Sequence, residues 1–135
     1  MTIPLWCLFA ATIWVVLTKV PMNILMARTE AYDNHHPRLK QLQLQPGAVH
    51  RAWAAHQNML EAYPMFAAAV LVSEWVGGSH LWATVLCISY LILRLLYQIC
   101  YLLDWATLRS LSWGLSYFCV LGLLLAPVLG HSVPL

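Results

Sequence analysis

Apolar residues dominate four long runs, at about 2–27, 49–76, 81–103 and 108–129, separated by short segments rich in Gly, Ser, His, Asp and Arg. Each run meets or exceeds the roughly 20 residues that a helix needs to cross a bilayer, so the pattern predicts four spanning helices. The polar positions inside the runs are ordered. At 100° per residue, Arg51, Asn58 and Glu61 fall within about 80° of one another and give the second helix one polar face. On the third helix, Tyr90, Arg94, Tyr97, Gln98 and Tyr101 recur at spacings of three and four and form a single stripe.

Composition agrees with this reading. Of 135 residues, 61% are hydrophobic and only 9% charged, against roughly 25% charged in soluble domains; the mean hydropathy is +0.70. The expected architecture is therefore an all-α integral membrane bundle of four transmembrane helices forming one domain over 1–135, with a loop at about 28–47. The first run begins at Thr2 without a basic leader and outlasts the apolar region of a signal peptide, so it is expected to remain as a helix. Net charge is +2 and arises mostly from loop cations, with no nucleic-acid surface in prospect.

Lys and Arg mark the cytoplasmic side of short loops. Arg28, Arg38, Lys40 and Arg51 cluster around the first connection and Arg109 follows the third, whereas Gly77 to His80 and the tail His131 to Leu135 carry neither residue type. Both termini are expected outside the cytoplasm, and an inner membrane of a bacterium is the expected location. Trp6, Trp75 and Trp82 at one set of ends and Trp53, Trp105 and Trp113 at the other fit an interfacial belt. Pro21 is expected to kink the first helix about one turn before its cytoplasmic end, with Lys19 snorkelling to the interface. Pro21 and Pro64 as interruptions do not make the paired broken helices of a transporter.

Arg94 lies near the centre of its run, where a permanent cation costs several kcal/mol unless partners compensate it. Glu61 is the natural counter-ion, which leaves open whether the pair specifies the fold or serves a site. Three phenols beside one guanidinium suit a cavity or an interface better than lipid. Arg109 and Ser110 open the fourth helix, where an Arg adds to the positive end of the dipole and favours an anion or thiolate. His56 faces away from the polar stripe and reads as a buried neighbour contact. His35 and His36 lack a third ligand at metal spacing, so no metal is expected. Cys7, Cys87, Cys100 and Cys119 lie inside helices without a C-x-x-C pair and read as packing residues.

The combination of Arg51 with His56-Gln57-Asn58-x-x-Glu61-x-x-Pro64-x-Phe66, then Arg94-x-x-Tyr97-x-x-x-Tyr101, then Arg109-Ser110 resembles the MAPEG family, the membrane-associated proteins in eicosanoid and glutathione metabolism. The Asp33-Asn-His-His-Pro37 loop is similar to an uncharacterised bacterial branch of it. The resemblance covers nearly the whole chain and implies a homotrimer with a glutathione site between neighbouring subunits. On that resemblance Asn58 and Glu61 would hold the polar ends of glutathione, with Glu61 on its ammonium. Arg94, Tyr97 and Tyr101 would hold its carboxylates and backbone, Arg51 matches a second Arg of the motif, and Arg28 would close the pocket. Arg109 matches the thiolate-stabilising Arg and Ser110 follows it. Ala54 stands where characterised members commonly carry an Arg, and Trp113 where a Tyr is expected.

The function implied is glutathione transfer to, or reduction of, lipophilic electrophiles or peroxides arriving from the membrane, with glutathione as co-substrate. Two other classes stay open: a non-catalytic trimeric subunit or scaffold, and a binder of another thiol or an anionic lipid.

Overall fold

The computed structural model describes residues 1–29 and 33–130, and the tail at 131–135 that entered the charge argument lies outside the described residues. The helices are α1 (Ile3–Leu17), α2 (Lys19–Ala27), α3 (Pro37–Leu42), α4 (Ala48–Val76), α5 (His80–Leu102) and α6 (Ala106–Gly130). Four stretches are long and apolar enough to cross a membrane: Ile3–Ala27, Ala48–Val76, His80–Leu102 and Ala106–Val128. The chain is an all-helical multi-pass membrane protein.

The first span is two helices, α1 and α2, joined at Thr18, one turn ahead of the predicted kink residue Pro21. The physical reason is the proline ring, which clashes with the carbonyl four residues earlier, here that of Leu17, and supplies no N–H to bond it. Helix α1 therefore ends at Leu17 and Pro21 falls in the first turn of α2, where its missing donor is harmless. The first connection also holds α3, six residues that its short length hid from periodicity. Pro64 lies inside α4, which continues through it.

Helices α4 and α5 form the centre of the bundle. The α1–α2 span packs on one side of them and α6 on the other. One core cluster joins Cys7 and Ala11 of α1 to Phe66, Ala69 and Val70 of α4, Cys87 and Tyr90 of α5, and Val120 and Leu123 of α6. Phe66 and Tyr90 stack face to face with centroids 3.9 Å apart. Small residues bring backbones close, as at Gly78, where an added Cβ would stand 3.0 Å from the Ala126 carbonyl oxygen. The outward surface is apolar along its length, with Phe118 69% and Val128 70% exposed. In lipid that surface needs no cover.

All four cysteines are buried and free, as packing residues would be. At one end of the bundle the Thr2 hydroxyl donates to the Glu74 carboxylate. At the other, Arg51 of α4 reaches Asp104 in the third connection at 3.8 Å. That contact places the first and third connections, with their cations, at the same end.

Candidate functional site

The connection between α5 and α6 sets the site. Asp104 has φ 63°, a left-handed conformation uncommon for a residue with a Cβ. Around it the Trp105 N–H donates to the Cys100 carbonyl at 2.8 Å and the Asp104 N–H to that of Tyr101 at 3.4 Å. This is the bonding pattern of a Schellman cap, which satisfies the last carbonyls of α5 and reverses the chain. Helix α6 then starts at Ala106, and its second turn brings Arg109 back over α5. The Arg109 guanidinium lies 4.5 Å above the centroid of the Tyr101 ring.

A cleft of about 490 Å³ opens there, lined by Asn58, Tyr97, Tyr101, Arg109, Ser110 and Trp113, with Gly114 behind them. That size lies within the roughly 300–1,000 Å³ of ordinary ligand sites. Three helices converge on it: Asn58 comes from α4, the two tyrosines from α5 and the rest from α6. Five of the nine sequence-predicted site residues are thus brought to one cavity. No carboxylate lines it, so its polar wall consists of an amide, two phenols, a guanidinium and a hydroxyl. The Ser110 hydroxyl donates to the Ala106 carbonyl at 3.1 Å, which leaves its oxygen to accept.

Arg94 lies beneath this wall. It is 2% exposed, and its Nη2 donates to the Asn58 Oδ1 at 2.8 Å. Its guanidinium carbon sits 4.4 Å from the Tyr97 ring centroid. The expected partner, Glu61, forms no hydrogen bond or ion pair with it. Glu61 is one turn further along α4 and projects to the surface, while the shorter Asn58 faces α5. Arg94 Nε and Nη1, Tyr90 Oη and Gln98 Nε2 are buried without partners among the described residues.

Three other predicted residues do not line the cleft. Arg51 is taken by Asp104, Arg28 is exposed just beyond α2, and Glu61 is exposed, within electrostatic reach of the wall residue Tyr97. A second groove of about 900 Å³ between α2, α3 and α4 is lined by residues that include Lys19, Asn23, Arg38 and His56. His56 is buried there, with Nδ1 3.0 Å from the Thr18 hydroxyl. No group of three metal-ligating residues occurs among the described residues, His35 and His36 included. Sequence reasoning missed Gly114 as a wall. It follows Ser110 by four residues, as Trp113 follows Arg109, and helical spacing would have found it.

These features define a four-span helical membrane protein with a donor-lined cleft at one end of its bundle. The profile of the MAPEG family matches residues 3–129, and the chain belongs to that family, whose members include glutathione-dependent transferases and peroxidases and also non-catalytic proteins. No curated protein and no solved structure matches the chain.

Proposed function

We propose that this protein binds glutathione in the cleft between α4, α5 and α6 and uses it to conjugate lipophilic electrophiles or to reduce peroxides that arrive from the bilayer. The observation that carries the reading is the donor-rich, carboxylate-free wall made by Asn58, Tyr97, Tyr101 and Arg109. Glutathione presents two carboxylates, two peptide carbonyls and a thiol, and is therefore mostly acceptor. Its single ammonium requires an anion, and Glu61 at the side of the cleft supplies one.

Arg109 is the activating cation. A thiol of pKa about 8.5 becomes largely thiolate at neutral pH when a neighbouring cation lowers it by one or two units. The thiol proton leaves to solvent. In conjugation the sulfur forms a bond to the electrophilic carbon, and the leaving group departs with its electron pair. In peroxide reduction the sulfur attacks the distal oxygen, the O–O bond breaks, the alkoxide takes a proton from solvent and leaves as an alcohol, and the sulfur is oxidised to a sulfenic acid. A second glutathione then displaces water to give the disulfide.

The reading includes a homotrimer over a single membrane domain, 1–135, with the cleft at the boundary between subunits, where Arg28 of a neighbouring subunit closes the pocket and Arg51 lies near its rim, paired with Asp104. It also places the Arg-rich end in the cytoplasm, both termini outside, and the protein in a bacterial inner membrane. A second reading, a non-catalytic trimeric subunit or a binder of another thiol or anionic lipid, is favoured by Ala54, where characterised members commonly carry an Arg.

The test is ultraviolet difference spectroscopy on the detergent-solubilised protein titrated with glutathione at neutral pH. Saturable thiolate absorbance that disappears in Arg109→Ala is the expected result. Absence of that signal, together with no glutathione-dependent rise in unfolding temperature, would remove the enzyme reading in favour of the second.

A further inference from the structure

Arginine has only donors, so whichever atom of the Asn58 amide faces Arg94 must be its oxygen. The 2.8 Å contact between Nη2 and Oδ1 therefore fixes the amide in one of its two possible orientations. The other end, the NH2 group, carries two donors, and Asn58 is part of the cleft wall. Arg94 does not reach the cleft itself: it is 2% exposed, its Nε and Nη1 are sealed from the surface, and it is absent from the lining. Its guanidinium packs on the ring of Tyr97, another wall residue. One buried cation thus supports two side chains of the cleft from behind.

We propose that Arg94 is a positioning residue and not a ligand contact: it holds Asn58 so that the amide NH2 enters the cleft, where it meets a carboxylate or peptide carbonyl of the ligand. The identity of that ligand rests on the glutathione reading; the orientation of Asn58 does not. The assignment also separates Asn58 and Glu61 by the kind of group each takes. Asn58 takes an acceptor, and the ammonium is left to Glu61, about one turn further along.

Asn58→Asp and Asn58→Leu decide the matter in the full-length, detergent-solubilised protein, through unfolding temperature without ligand and glutathione affinity by calorimetry. Asp keeps an acceptor for Arg94 and gives the buried cation a counter-charge, so its unfolding temperature is expected to equal or exceed that of the wild type. It removes the donor and adds a negative charge in the cleft, so affinity is expected to fall about tenfold or more. Leu orphans Arg94 and is expected to lower both quantities. A pair with a purely structural role would leave the Asp variant with wild-type affinity, which overturns the proposal.

A direct ligand contact through Arg94 would let the Leu variant, with its guanidinium set free, keep its affinity, and that result also overturns it. If the wild type binds no glutathione, the glutathione reading falls and the acceptor assignment with it. The orientation is then judged by unfolding alone, and an Asp variant no more stable than Leu refutes it.

Discussion

The Thr18 hydroxyl oxygen and the His56 Nδ1 lie 3.0 Å apart, which ties the break in the first span to the third turn of α4. Thr18 also sits 2.8 Å from the Val15 carbonyl, and its single proton is directed there. The imidazole must then donate through Nδ1–H, so one hydrogen-bonded chain runs from the end of α1 through Thr18 to α4. Pro21 breaks the helix, and Thr18 determines where the broken end is held.

Thr18→Val removes the hydroxyl at nearly constant volume and leaves the His56 donor without a partner at a position where Thr18 is only 1% exposed. An orphaned buried donor costs about 1–3 kcal/mol. The expected outcome is a loss of that size in the free energy of unfolding, or a clear drop in unfolding temperature, with glutathione affinity unchanged because His56 lies in the other groove. Thr18→Ser, which keeps the hydroxyl, should restore most of the difference. Equal stability of the Val variant and the wild type would show that the contact contributes nothing.

Asp104 offers a test of opposite sign. Its left-handed backbone suits glycine, which adopts it without steric penalty. Asp104→Gly relieves strain on the order of 1 kcal/mol, whereas the lost pair with Arg51 spans 3.8 Å and involves a carboxylate 65% exposed, so it contributes little. A net gain in stability is expected. A loss, measured as a lower unfolding temperature at low salt that shrinks at high salt, would mean that the Arg51 contact fixes the end of α4 more firmly than an exposed pair ordinarily does.

Much of this architecture is legible in the chain. The length and apolarity of the runs suffice for four spans, and spacings of three and four place Tyr97 and Tyr101 on one stripe of α5. Helical spacing gives a residue's bearing around its own axis, however, and not which side chain of a neighbouring helix it meets. Asn58 and Glu61 share a face to within about 60°, and charge alone nominates Glu61 for Arg94. Packing selects Asn58, because the amide is the group turned towards α5. The Schellman turn at Asp104 was equally hidden, since an Asp in that position does not announce itself as a Gly would. Yet that turn carries Arg109 back over Tyr101.

The ring of Tyr101 and its hydroxyl have separable duties. The ring supports the Arg109 guanidinium from 4.5 Å, a contact that contributes about 0.5–1 kcal/mol at an exposed site and more when desolvated. The hydroxyl is one of the donors of the cleft wall. Tyr101→Phe keeps the platform and removes the donor, so glutathione affinity should weaken about tenfold, in line with a hydrogen bond to a charged group, while bound thiolate absorbance per occupied site stays at the wild-type level. Tyr101→Leu removes the platform as well. Arg109 is then free to swing away from the cleft, and the thiolate signal at saturating glutathione should fall along with affinity. If the Leu variant retains full thiolate absorbance at saturation, the position of Arg109 does not depend on Tyr101 and must be fixed by α6 alone.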